Sequence, residues 1–222
     1  MASRKEIVAQ KEKTSQALMQ AALALCAEEG FASLSLRSVA REAGIAPTSF
    51  YRHFRDIDEL GISMALDAKK ILDECFAAIR RRLGAAATPE PDSQPEAPDA
   101  VEAFVGPFTE IFMAYCSSHN RLLRLFFQER TGSSKALRSA IAVETGKLID
   151  FLSQDLKNLA LSMGKPVADN RLLAEMLLII SMASGMEKML NPEISDETVM
   201  TSMKQKLRLL VTGAMIQEAA AP

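Results

Sequence analysis

At 222 residues and 48% hydrophobic content the chain can build one large or two small packed cores. Tryptophan is absent, no stretch alternates Val, Ile or Thr as a half-buried strand does, and Leu, Ala, Met, Glu and Lys dominate. A sheet fold is therefore disfavoured and an all-α protein is expected. The net charge of −2 divides unevenly: residues 1–55 hold eight basic against five acidic side chains, and residues 56–222 hold eighteen against twenty-three. A basic end on an acidic body suits a protein that offers one end to a polyanion.

Residues 1–13 are polar, carry Arg4, Lys5, Lys11 and Lys13, and show no apolar period, so a frayed basic arm running into a helix is expected. From Thr14 to Glu29 the positions Leu18, Ala21, Ala22 and Leu25 fall on one helical face. Gly30 ends that helix and Phe31 turns back to the core.

The stretch Leu34–Asp56 reads LSLRSVAREAGIAPTSFYRHFRD. Leu36, Val39 and Ala40 recur at helical spacing, Ser35 precedes them as an N-cap, and Gly44 stands where a left-handed C′ residue ends the helix. Pro47 suits the first turn of a second helix. In that helix Phe50 and Phe54 share the buried face, so Thr48, Ser49, Tyr51, Arg52 and His53 point outward. No acid lies between Pro47 and Arg55. Hydroxyl, guanidinium, imidazole and phenol groups all donate to phosphate, and a short helix of this kind fits the major groove. A surface helical hairpin with a polar face is the plainer account of such a pattern.

FYRHF followed by DIDEL, with the small residue Ala40, Gly44 and apolar Phe50 at helix-turn-helix spacing, resembles the TetR family of bacterial repressors. Within it, Phe31 to Leu60 resembles the fatty-acid-biosynthesis repressors of the FabR and DesT group. The resemblance implies a DNA-binding domain over 1–55 that binds a palindromic operator on double-stranded DNA. Its DNA-binding set is Ser35, Arg37, Pro47, Thr48, Ser49, Tyr51, Arg52 and His53, with Tyr51 and His53 on phosphates. Arg37 and Thr48 are the candidates for base edges. Residues 56–222 are then a helical ligand-binding and dimerisation domain.

Asp56 and Glu59 have capping-box spacing, and a helix from there to about Arg82 keeps Leu60, Met64, Leu72, Phe76 and Ile79 on one side. Residues 84–100 hold four of the nine prolines, four acids and no base, so a disordered loop is expected. The resembling repressors have a shorter join at this point. Beyond it, Phe104, Phe108, Ile111, Phe112 and Tyr115 share a helical face that Pro107 either kinks or starts. Asn120–Glu129 gives a short helix, and another follows from Gly132–Ser134 to Met163. Asp169–Leu190 is apolar on nearly every side and is expected to be buried all round. Ser195 to about Gln217 makes a last helix. The final two helices either complete the protomer's own core or pair with a second copy in a four-helix bundle; the resemblance implies a homodimer.

Phe104, Phe108, Phe112, Phe126 and Met176 are candidate pocket residues, though such a stripe is more often plain core. Arg124, Arg130 and Arg138 flank the turn at Thr131–Ser134, where either an anionic head group or simple helix capping is expected. FFQERTGSS resembles a motif of the fatty-acid repressors, with Gln128 in place of an arginine. This implies acyl-CoA or acyl carrier protein as the source of the effector. Another lipophilic effector is the alternative within the family, and a helical lipid carrier without DNA binding is the alternative outside it.

Cys26, Cys75 and Cys116 show no ligand spacing and read as small buried hydrophobes of a reducing compartment. Neither a secretory signal nor a bilayer-length apolar run is evident, so a cytoplasmic protein with no membrane partner is expected. The two histidines join no Ser–His–Asp order, metal spacing or phosphate loop. Neither an enzyme nor a cofactor is expected.

Overall fold

The computed structural model describes residues 4–86, 100–162, 167 and 169–219, and among these there are nine α-helices, one 3₁₀ turn and no strand. The helices are α1 (Arg4–Glu29), α2 (Leu36–Glu42), α3 (Pro47–Phe50), α4 (Ile57–Ala86), α5 (Ala100–Ser118), α6 (Asn120–Glu129), α7 (Lys135–Ser162), α8 (Asn170–Leu190) and α9 (Asp196–Ala219), with the 3₁₀ turn at Phe31–Ser33. The all-α expectation is met. Among the described residues no helix is long and apolar enough to cross a membrane.

The chain folds into two compact units. The first runs to Lys69 and takes in Arg121–Glu144; the second comprises Lys70–Asn120 and the chain from Thr145 onward. Both α4 and α7 contribute residues to each. The motif-based division at 55/56 therefore differs from the compact units, because contacts distant in sequence enlarge the first. In that unit the ring of Phe31 lies so near Gly61 that a Cβ there would stand 2.5 Å from Phe31 Cζ and 3.2 Å from Leu137. Ser134 also donates to Asp58 Oδ1 at 2.7 Å.

Two boundaries differ from expectation. The basic residues 4–13 belong to α1 rather than to a frayed arm. An exposed helix needs no apolar period where Lys, Glu, Gln and Ala supply propensity, and Gln16 bonds Glu12 across one turn at 3.3 Å. At its other end α4 continues through Gly84 to Ala86 instead of stopping near Arg82, since alanine continues a helix at no side-chain cost. Residues 87–99, most of the expected loop, lie outside the described residues. Of the two placements expected for Pro107 the interior one holds, since it sits inside α5 and does not start it.

In the second unit α5 supplies a ladder of rings. Phe104–Phe108 and Phe108–Phe112 centroids are 5.5 and 6.3 Å apart, and Phe76 of α4 lies 6.4 Å from Phe108. Helix α9 packs on α5 and α8. The expectation that α8 is buried all round is wrong for the single chain. Leu173, Ala174, Leu177, Leu178 and Met182 are buried, but Leu172, Met176, Ile179 and Leu190 are exposed. One face of α8 meets its neighbours in the unit, and the other is left to solvent. Cys75 and Cys116 are buried free thiols and Cys26 is half-buried; burial pushes Cys75 up to about 12, far from the reactive range.

Candidate nucleic-acid interface and ligand cavity

The α2–α3 pair owes its geometry to its ends. Ser35 accepts from Ser38 N–H at 3.0 Å while Ser38 Oγ accepts from Ser35 N–H at 3.0 Å, a reciprocal box with serine in place of the usual acid. At the other end Gly44 has φ 68°. Ile45 N–H reaches back to Ala40 C=O at 2.9 Å, and Gly44 N–H to Arg41 C=O at 3.1 Å. This is the double return of a Schellman cap, which reverses the chain in two residues. Pro47 then opens α3 from an extended Ala46. Although α3 itself ends at Phe50, its turn is prolonged by His53 N–H and Phe54 N–H, which both bond Phe50 C=O, at 2.8 and 3.1 Å. Phe50 and Phe54 are buried with rings 5.9 Å apart.

Of the eight residues read as DNA-binding, Ser35, Arg37, Pro47, Thr48, Tyr51 and Arg52 are exposed. Tyr51 is 65% exposed although it is one of the larger rings of the unit. Ser49 and His53 are only half-buried, not fully outward. The Nδ1 of His53 is buried without a hydrogen-bond partner. Partial burial, then the positive charges of Lys11 and Arg52, hold its imidazole below the ordinary histidine range. Lys11 belongs to the α1 segment that had read as an arm, so helical order from Arg4 brings this cation to the site. The pattern did not show this, because exposed helix lacks apolar period.

The candidate ligand residues separate. Phe104 and Phe108 line a cavity of about 250 Å³ in the second unit. Helix α4 adds Phe76, Ile79 and Leu83 to its wall, and α7 adds Leu152 and Leu156. Its polar lining is Arg80, Asp155 and Asn158. The α4 and α7 walls of the cavity were not among the candidate ligand residues, because apolar periodicity is the same for a cavity wall and for filled core. Phe112 is fully buried behind Phe108. Met176 lines a different groove, with Leu172, Leu209 and Leu210, at the surface between α8 and α9. Arg124, Phe126, Arg130 and Arg138 belong to the first unit, and Phe126 is completely buried there. Arg138 donates to the carbonyls of Gly132 and Ser133, and Ser134 Oγ accepts from Leu137 N–H at 3.1 Å. The Thr131–Ser134 turn is thus braced by its own chain, which favours the capping account.

Residues 18–63 match the profile of the family described as bacterial regulatory proteins, tetR family. Among solved structures, a TetR-family transcriptional regulator from Syntrophomonas wolfei aligns with TM-score 0.65 and 19% identity over 90% of this chain and 96% of its own. FadR of Thermus thermophilus, a TetR-family repressor solved with lauroyl-CoA, aligns at 0.60 and 17% over 94% and 98%. SmeT in complex with triclosan gives 0.60 and 17% over 90% and 91%. At such identities the likeness is one of fold. Residues 18–63 are thus a TetR-family N-terminal domain, borne on a chain with the all-α fold of the TetR-type regulators.

Proposed function

We propose that the chain is a homodimeric transcription repressor whose α2–α3 pair reads a palindromic operator and whose second unit senses a lipophilic effector. The observation that carries this is the face built by the Schellman turn. Arg37 of α2, Thr48 of α3, and Tyr51 and Arg52 of the turn that follows are all exposed, while Val39, Ala40, Phe50 and Phe54 are buried. In this reading Tyr51, Arg52 and His53 hold phosphates while Arg37 and Thr48 reach base edges. The exposed stripe Leu172, Met176 and Ile179 on α8, with Leu209 on α9, supports pairing of two copies through the last two helices. A binding titration with DNA upstream of the chain's own gene, repeated over a range of salt, is the direct test. Sequence-selective binding with a slope of about −0.9 per phosphate contact is expected. A helical carrier without DNA function would show no operator preference.

For the effector, we propose an acyl group, with genes of fatty-acid synthesis or desaturation as targets. This rests on the resemblance of the FFQERTGSS stretch and on the apolar cavity beside the phenylalanine ladder. The bound lauroyl-CoA of Thermus FadR shows only that the same fold admits such a ligand in that protein. The cavity volume of about 250 Å³ falls below the usual range for ligand sites, roughly 300–1,000 Å³. That size favours a second reading, a compact lipophilic effector of the kind recognised by repressors of efflux or catabolic genes. Native mass spectrometry of the purified dimer, looking for a retained acyl thioester, separates the two.

A further inference from the structure

The cavity of the second unit is apolar except where Arg80 of α4 meets Asp155 and Asn158 of α7. Asn158 Oδ1 already accepts from Gln154 Nε2 at 3.0 Å. The two charged groups share one contact, Arg80 Nη1 to Asp155 Oδ1 at 3.2 Å. That is long for a charge-assisted bond, which runs about 2.7–2.9 Å, and it is single where a guanidinium and a carboxylate can pair through two parallel bonds. Arg80 has a second support. Its guanidinium carbon stands 4.5 Å from the centroid of the Phe151 ring, an arrangement that attracts the cation whatever happens to Asp155. Asp155 is the more buried partner, at 21% side-chain exposure against 47%, and burial pushes its carboxyl up despite the arginine beside it. The cation is therefore permanently charged and independently positioned, while its anion is poorly housed.

We infer that Arg80 selects the ligand of this cavity, taking an anionic group at the end of an apolar tail in exchange for Asp155. The inference rests on the reading above that this cavity is the effector site. A planar carboxylate or a phosphate oxygen pair can satisfy two donors of the fork, which Asp155 does not. The tail would lie along Phe104, Phe108 and Leu152. A cationic ligand would instead have to take Asp155 from Arg80 while Phe151 still holds that like charge beside it. The anion can be the carboxylate of a free fatty acid or a phosphate of an acyl carrier, and both present the same chemistry to Arg80.

Calorimetric titration of the full-length dimer with decanoate, decanol, decylamine and decanoyl-coenzyme A tests this. Decanoate or decanoyl-coenzyme A should bind at least about tenfold tighter than decanol, the worth of one charge-assisted contact. Arg80→Gln should abolish that preference, so that decanoate binds no tighter than decanol, whereas Arg80→Lys, which keeps the charge, should retain part of it. Asp155→Asn should strengthen the anionic ligand severalfold, since it removes the internal competitor; a purely structural ion pair would lose in Arg80→Gln and Asp155→Asn alike. Arg80-dependent binding of decanoate identifies a carboxylate, and such binding by the thioester alone identifies a carrier phosphate. Tightest binding of decylamine, or equal binding of all the tails, overturns the selection by Arg80 and leaves an apolar-ligand cavity standing. If none of the four binds, the cavity is not an effector site and both readings fall.

Discussion

His53 occupies an unusual position for a surface imidazole. One ring nitrogen is buried without a partner, and burial, Lys11 and Arg52 all disfavour its protonated form. It is therefore neutral near pH 7 in the free protein, and falling pH must charge it at a cost to the fold. A phosphate placed against it would reverse that preference, so DNA binding should take up a proton. Operator affinity is then expected to rise as pH falls from about 7.5 through the ordinary histidine range, by less than tenfold per pH unit. In His53→Ala the profile should be flat; an equally steep profile in that variant would place the titrating group elsewhere. Arg37→Ala is a separate matter. If it contacts a base edge, the loss is roughly 1–3 kcal/mol at one base pair with relaxed preference there. A uniform loss over all sequences would make it a phosphate contact.

Two glycines govern how the helices meet, for different reasons. Gly44 adopts φ 68°, where a Cβ is strained even though open space surrounds it. Gly61 has ordinary helical backbone but lies under the buried ring of Phe31. Gly61→Ala gains about 1 kcal/mol of helix propensity and meets an overpacking cost of roughly 1–3 kcal/mol. A net loss of about 1 kcal/mol is expected in denaturant titrations, with Phe31→Leu restoring part of it in the double variant. Net stabilisation by Gly61→Ala would mean that the ring moves aside freely. Capping of α4 is measurable too. Asp56 accepts from Glu59 N–H at 2.8 Å, and that bond, then the Arg55 side chain, holds its carboxyl below the usual carboxylate range. Asp56→Ala should cost about 1 kcal/mol near neutral pH. The difference from wild type should shrink as pH falls through the depressed carboxylate range, because protonation removes the charged acceptor in the parent protein.

In the proposed dimer α8 is the element that matters. Leu172, Met176 and Ile179 lie at four- and three-residue spacing, each more than a third exposed. Leu209 of α9 joins Leu172 and Met176 along the groove between the two helices, and clustered exposed apolar side chains of this kind mark an interaction site. Ile179→Glu should weaken the dimer by at least about tenfold in sedimentation equilibrium, with operator affinity falling in parallel because two half-sites are no longer held together. The monomer's helicity should be unchanged, since that side chain is already 41% exposed. A dimer of undiminished strength would assign the interface to another face.

Local chemistry made the helix-turn-helix legible from residues alone. Ser35, Gly44, Pro47 and the Phe50–Phe54 pair act within a few positions of one another, so their caps, turn and buried stripe are written in the order of the chain. The same locality exposed the acid-box start of α4. Exposed helix was less visible, which is why α1 was read as starting at Thr14 rather than Arg4. The ligand site could not be read in this way. An apolar stripe gives the same periodicity whether it faces a filled core, a cavity or a second copy of the chain. Phe112, Phe108 and Met176 looked alike on that measure, yet Phe112 is core, the equally buried Phe108 backs the cavity, and Met176 sits at the surface groove between α8 and α9. Similarly, Arg80 and Asp155 are 75 positions apart, and Phe31, Gly61 and Leu137 come from three separate segments. Such pairings depend on helix packing between distant parts of the chain, which no short-range spacing encodes; tertiary structure alone decides them.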